Sequence, residues 1–230
     1  PAAAILCRTA ALRDLGGFRE DMRVGEDVDL VWRLAEAGHR CRYEPAAEVH
    51  HRPRRTLAAM LRQRYGYGRS AAPLARRHRG ALAPVRMSGW SAGVWALVAL
   101  RRPFAAMLLA AGTTAALRRT LRDLPASEVA RLTLTGHAAA GGQLARAVTR
   151  AWWPIAVLGA VVSRRCRGLL VAALLLPPIA DAARTRSVAP IVDAPLRWLD
   201  EGAYCAGVWT GAAAHREVEP LLPSFSAWPP

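Results

Sequence analysis

The 230-residue sequence has no lysine: all 32 basic residues are arginine, set against 17 acids, for a formal net charge of +15. Exclusive use of arginine is a compositional habit, so the number of arginines does not by itself mark a binding site. A charge this large still selects anionic partners, whether nucleic acid, anionic lipid or phosphorylated small molecules. Aromatic residues are scarce, at 7%, and no zinc-finger or RNP-like pattern is present, which disfavours nucleic acid. The four cysteines, Cys7, Cys41, Cys166 and Cys205, show neither C-x-x-C spacing nor a histidine at metal-finger distance. They are expected to be reduced, buried thiols in a cytosolic setting. No uncharged apolar run reaches the roughly 20 residues of a membrane span.

What is present argues against disorder, since 53% of residues are hydrophobic. The length allows one large domain or two small ones. Residues 2–6 (AAAIL) are apolar and suit a buried strand. "RTAALRDLGGF" suits a short helix ended by Gly16-Gly17. After Gly25, Leu30, Val31, Leu34 and Ala37 share one helical face. "HRCRYEP" alternates and predicts a strand. From Thr56 a basic helix begins, with a break expected at Gly66–Gly68. The first 70 residues therefore predict interleaved strands and helices, an α/β arrangement.

Beyond Ser70 the texture changes. "PLARRHRGALAPVR" has the composition of a linker or surface segment. Four apolar runs follow as two pairs, Met87–Leu100 with Pro103–Leu117 and Ala151–Ser163 with Gly168–Ala180. Arg101-Arg102 splits the first pair, and Arg164, Arg165 and Arg167 split the second. Each run makes a helix of about 20–23 Å against a hydrocarbon core of about 30 Å. Joining a pair would place arginines mid-bilayer at about 2.5–3.5 kcal/mol each. Residues 71–230 are thus expected to be a mainly α-helical, membrane-associated region. Its two apolar hairpins (87–117 and 151–181) would lie in the interface with arginine at headgroup depth. A soluble helical domain burying the same runs is the other reading. Between the pairs, residues 125–150 predict one helix.

The acids of "GEDVDLVWRLAEAG" raise the question of function. Glu26 or Asp27 could cap the helix, and Asp29 and Arg33, four apart, could form a surface pair worth a few tenths of a kcal/mol. His50 and His51 could be solvated, and Arg62, Arg64 and Arg69 could form one solvated face. Taken together the same residues suit another task. Removing a hydroxyl proton while a diphosphate departs needs a base, a cation with oxygen or imidazole ligands, and positive charge near the phosphates. Asp27, His51 and the Arg62–Arg69 segment offer one of each.

Three blocks carry a family resemblance: Gly16, Gly17, Phe18 and Glu20; then Glu26, Asp27, Asp29, Leu30 and Arg33; then Pro45, Ala47, Val49 and His51. In order and spacing they resemble the second half of the catalytic domain of family 2 glycosyltransferases. "QRYGYGRSAAPLARRH", "AYCAGVWTGA" and the following "LLP" resemble the subgroup that serves the mycofactocin redox-cofactor system. The resemblance implies a partial GT-A fold over residues 1–70 and inversion at the anomeric carbon. It also implies a nucleotide-sugar donor (UDP-glucose first among candidates) and a divalent cation, Mn²⁺ or Mg²⁺. A small peptide-derived or glycan acceptor and a place on the cytoplasmic face of the plasma membrane follow from it.

Within that resemblance Asp27 is the general base and Glu26 holds the acceptor. His51 completes the cation site, ahead of His50, because the third block's register selects it. Gly17 and Phe18 line the acceptor side, and Arg64 and Tyr65 lie near donor or acceptor. The family's nucleotide-binding strands are absent, and no Asp-x-Asp precedes Gly25. The chain also opens on Pro1 and runs directly into apolar residues. It is therefore expected to be a piece of a longer protein, inactive alone. The alternative is a non-catalytic, basic membrane-surface module in which the acids only shape a helix.

Overall fold

Thr9–Asp14 forms helix α1, and Gly16 and Gly17 end it with positive φ. The computed structural model describes residues 4–50 and 54–226. Helix α2 (Glu26–Glu36) buries Leu30 and Leu34 against Ala11 of α1, with Cys7, Leu12 and Leu15 at the margin. Val31 is only half-buried and Ala37 is exposed, so the apolar face is narrower than the periodicity implies.

The strands expected at residues 2–6 and within "HRCRYEP" do not form among the described residues. Residues 5–7 and 39–44 carry no ladder, and Leu6 and Tyr43 are exposed. A strand satisfies its backbone through a neighbouring strand. Among the described residues of this part of the chain there is none, so the elements formed here are helical.

Helix α3 (Leu57–Arg69) starts at Thr56, whose hydroxyl accepts from the Ala59 amide at 3.2 Å. It does not break at Gly66–Gly68; it runs through them, and α4 (Ala71–Arg77) follows across Ser70. The glycines are there for close approach. A Cβ on Gly68 would lie 2.0 Å from the Tyr204 carbonyl oxygen, and one on Gly207 would lie 2.1 Å from that of Tyr65. Both Tyr204 and Gly207 belong to helix α11 (Ala194–His215), so the α3–α11 crossing admits only hydrogen on either side. The linker expected after Ser70 is instead α4, with Ala71, Ala72, Leu74 and Ala75 buried.

The chain divides into two compact units, Pro1–Leu82 with Ala203–Pro220, and Ala83–Gly202 with Leu221–Pro230. In the second, β1 (Arg86–Ser88) pairs in parallel with β2 (Ser224–Ser226), Met87 opposite Phe225. Ser88 caps α5 (Gly89–Ala99), which turns at Arg101-Arg102 into α6 (Pro103–Thr120). The predicted middle helix is α7 (Ala126–Arg150). Its Ala140 and Ala147 pack with Val85, Met87, Trp95 and Trp152 in this unit's core. The Trp95 indole donates to the His137 carbonyl at 2.7 Å.

The second pair of runs forms α8 (Trp153–Val162) and α9 (Arg164–Thr185), with Ser163 capping α9; α10 (Ala189–Val192) follows. Arg164, Arg165 and Arg167 are not a connector. They form the first turn of α9, which reaches 22 residues, about 33 Å at 1.5 Å per residue. By length and composition α9 could cross a membrane, which the 13-residue run alone could not. All four cysteines are free, but only Cys205 is buried; Cys41 is exposed, contrary to expectation, because its segment lacks a sheet to cover it.

Candidate functional site

The site is built around the start of α2. Gly25, at the N-cap, has φ 85°, a conformation that favours glycine, and a Cβ there would meet Leu74 Cδ1 at 3.0 Å and Ser70 Oγ at 3.2 Å. The entry to α2 is thereby fitted against α4. With glycine at the cap, no side chain caps this helix, so the capping role considered for Glu26 and Asp27 is not what they do. They sit in the first turn, where negative charge suits the helix dipole. Both are half-buried, and Asp27 Oδ1 accepts from the Val28 amide at 2.8 Å.

Asp29 is not a surface partner of Arg33. Its side chain is fully buried, and the Arg33 side chain is only 13% exposed. Arg33 Nε donates to Asp29 Oδ2 at 2.7 Å, while its two terminal nitrogens donate to the carbonyls of Leu15 (2.7 Å) and Gly17 (2.8 Å). One planar guanidinium thus ties α2 to the loop that carries Gly17 and Phe18. On the other carboxylate oxygen, His78 Nε2 stands 3.0 Å from Oδ1, and His78 Nδ1 stands 2.7 Å from Glu36 Oε1. The same ring meets Trp32 edge-on, with centroids 5.0 Å apart. Burial works to raise the Asp29 pKa. The hydrogen bonds from His78 and Arg33, with the positive charge of both, outweigh it and hold the carboxyl below its ordinary value.

The network ties the loop of Leu15 and Gly17 to the helix that carries Asp27. Gly17 is held through its carbonyl, and Phe18 beside it is 48% exposed. Arg64 and Tyr65 are half-buried on α3, and the Arg64 guanidinium lies 5.9 Å from the centre of the Tyr67 ring. His51 lies outside the described residues. Among those described, no group of three or more histidine, cysteine or acidic side chains gathers to hold a metal. His78 was not singled out from sequence. It follows two arginines in a basic stretch, and its partners lie 42 and 49 residues away.

Comparison with known proteins adds to this geometry. A family profile described as glycosyl transferase family group 2 matches residues 3–180. The pre-mycofactocin glycosyltransferases of Mycobacterium tuberculosis strains CDC 1551 / Oshkosh and ATCC 25618 / H37Rv are each 39% identical over 238 residues. The match covers 98% of this chain and 51% of theirs. The succinoglycan biosynthesis protein ExoA of Rhizobium meliloti (strain 1021) is 30% identical over 115 residues, 41% of this chain and 35% of that protein. The chain spans about half the length of the mycobacterial relatives it matches. No solved structure matches it.

Proposed function

The chain belongs to glycosyl transferase family group 2, and from that premise we propose that it carries the acceptor-activating part of an inverting glycosyltransferase. The observation that carries the proposal is the locked first turn of α2. Asp27 sits two residues before a buried carboxylate that Arg33 and His78 hold from either side. A base for proton transfer must keep its position relative to the acceptor hydroxyl. In the proposed step the acceptor oxygen bonds to the anomeric carbon from the face opposite the leaving group. The bond from that carbon to the diphosphate oxygen breaks, and its electron pair leaves with the nucleoside diphosphate. The hydroxyl proton passes to Asp27. Glu26 holds the acceptor, and Gly17 with Phe18 lines its approach. Arg64 and Tyr65 lie toward the transferred sugar.

The mycobacterial relatives support the narrower proposal that the substrate belongs to mycofactocin maturation, with glucose from UDP-glucose as the first donor to test. The implied cation has no donor set among the described residues, so no step is routed through it. Our proposal assigns the cation to the full-length protein, with His51 as this chain's contribution. Residues 1–70 are proposed as the acceptor half of the catalytic domain, inactive by themselves.

We further propose that the helical hairpins rest on anionic lipid at the cytoplasmic face of the plasma membrane. Phe104, Leu108, Val161 and Val162 are each more than 70% exposed, a large apolar surface for a water-facing protein. The arginines at the two hairpin turns complement anionic headgroups. The transferase proposal is tested by incubating the purified full-length protein with UDP-glucose, Mn²⁺ or Mg²⁺ and a hydroxyl-bearing peptide acceptor. The expected product is a β-glucoside, from the α-linked donor, identified by NMR. Absence of transfer from any nucleotide sugar would leave the membrane-surface module as the function.

A further inference from the structure

Residues 65–69 of α3 and 204–211 of α11 lie far apart in sequence and meet backbone to backbone. A Cβ on Gly207 would stand 2.1 Å from the Tyr65 carbonyl oxygen, 2.9 Å from the Arg69 nitrogen and 3.0 Å from the Gly68 Cα. One on Gly211 would stand 2.7 Å from the Arg69 carbonyl oxygen. The contact is reciprocal, since a Cβ on Gly68 would also stand 2.9 Å from the Val208 nitrogen. Along the same stretch of α11, Cys205, Val208 and Ala212 are buried. Beyond the helix the segment is tied down twice more. Arg79 Nη1 donates to Glu217 Oε2 at 2.7 Å, and the Leu82 amide donates to Glu219 Oε1 at 3.2 Å. Residues 203–220 thus complete the first unit, although residues 83–202 intervene in the chain.

Side chains at a helix crossing absorb a small shift by changing rotamer, whereas two backbones in contact have no rotamers to change. Tyr65 is one of the touching residues and Arg64 precedes it, so the crossing sets where both side chains leave α3. We propose that α11 positions Arg64 and Tyr65 for the substrate, with Gly207 as the positioning residue. This role rests on the function proposed above, in which those two residues lie toward the transferred sugar. A methyl on Gly207 must move from 2.1 Å to the 3.4 Å at which ordinary contact begins, so the helices must part by about 1.3 Å. On Gly211 the corresponding opening, from 2.7 Å, is about 0.7 Å. A misplacement of about 1 Å can cost about 100-fold in rate even when its origin is remote from the chemistry. Gly202, also on α11, is the contrast: a Cβ there meets nothing within 4 Å.

The test is steady-state transfer from UDP-glucose by the full-length protein, with the donor varied, the acceptor saturating and the temperature well below each variant's melt. Gly207→Ala should lower kcat/KM by about 10–100-fold and Gly211→Ala by less, while Gly202→Ala turns over as the parent does. The milder Gly211→Ala takes the place of Gly207→Ala throughout if the latter does not fold. The decisive readout is a cycle with Arg64→Ala/Tyr65→Ala. Positioning predicts that, once both side chains are gone, the glycine substitution costs less than about twofold more in kcat/KM, while its loss of melting temperature persists. Equal fold-losses in the two backgrounds would show a general loosening and overturn the proposal. So would parent-like turnover by folded Gly207→Ala and Gly211→Ala. A parent protein that transfers no sugar overturns the functional reading and this role together; transfer that the glycine variants leave intact overturns this role alone.

Discussion

Asp29→Ala is the perturbation that separates a buried lock from a surface ion pair. The substitution removes an acceptor that takes 2.7 Å and 3.0 Å contacts from Arg33 and His78, both largely out of solvent. It leaves a guanidinium and an imidazole facing a small void. Removing one partner of a buried ion pair costs about 3–5 kcal/mol, because the remaining charge is uncompensated. Arg33 keeps its bonds to the Leu15 and Gly17 carbonyls, and His78 keeps Glu36, which sets the expectation at the lower end. A solvent-exposed pair at the same spacing would be worth only about 0.3–0.5 kcal/mol. Urea unfolding of parent and variant, followed by circular dichroism, reads the difference directly. An Asp29→Ala/Arg33→Ala cycle isolates the pairwise part. A loss below about 1 kcal/mol, or a coupling near zero, would refute the buried lock.

Three further outcomes follow from the same structure. Because Asp29 has a depressed pKa when folded, its contribution is fully present above the unfolded value of about 3.9 and is lost as pH falls through the folded value. Melting temperatures between about pH 6 and pH 2 should fall more steeply below pH 4 in the parent than in Asp29→Asn, and parallel curves would contradict the shift. Gly207→Ala places a methyl 2.1 Å from the Tyr65 carbonyl, so it should destabilise by at least the roughly 1–3 kcal/mol of an overpacked core; an unchanged melt would mean that the α3–α11 crossing is looser than described. Replacing Arg164, Arg165 and Arg167 with glutamine should weaken binding to phosphatidylglycerol vesicles by about 3 kcal/mol, roughly 100-fold, at about 1 kcal/mol per arginine. Equal sedimentation of variant and parent with vesicles would remove the lipid contact.

Elements set by local pattern were legible in the sequence. The double glycine after α1, the apolar spacing of α2 and the apolar runs of α5, α6, α8 and α9 depend on neighbours a few residues away. What depends on distant neighbours was not. Gly66–Gly68 reads as a helix break until Gly207 of α11 supplies the close crossing that needs it. Asp29 and Arg33 read as a surface pair because nothing near them in sequence announces His78 or the Leu15 and Gly17 carbonyls. The alternation in "HRCRYEP" predicts a strand, but alternation alone does not supply the partner a strand requires.

The account stands on Asp27 as the group that takes the acceptor's proton. The most direct measurement is turnover of the full-length protein carrying Asp27→Asn, with donor and acceptor saturating. A fall of about 10²–10⁴ in kcat, the usual worth of a general base and about 3–5 kcal/mol of barrier, is predicted, with the melting temperature essentially unmoved. Turnover within about twofold of the parent, in a protein equally well folded, would contradict it.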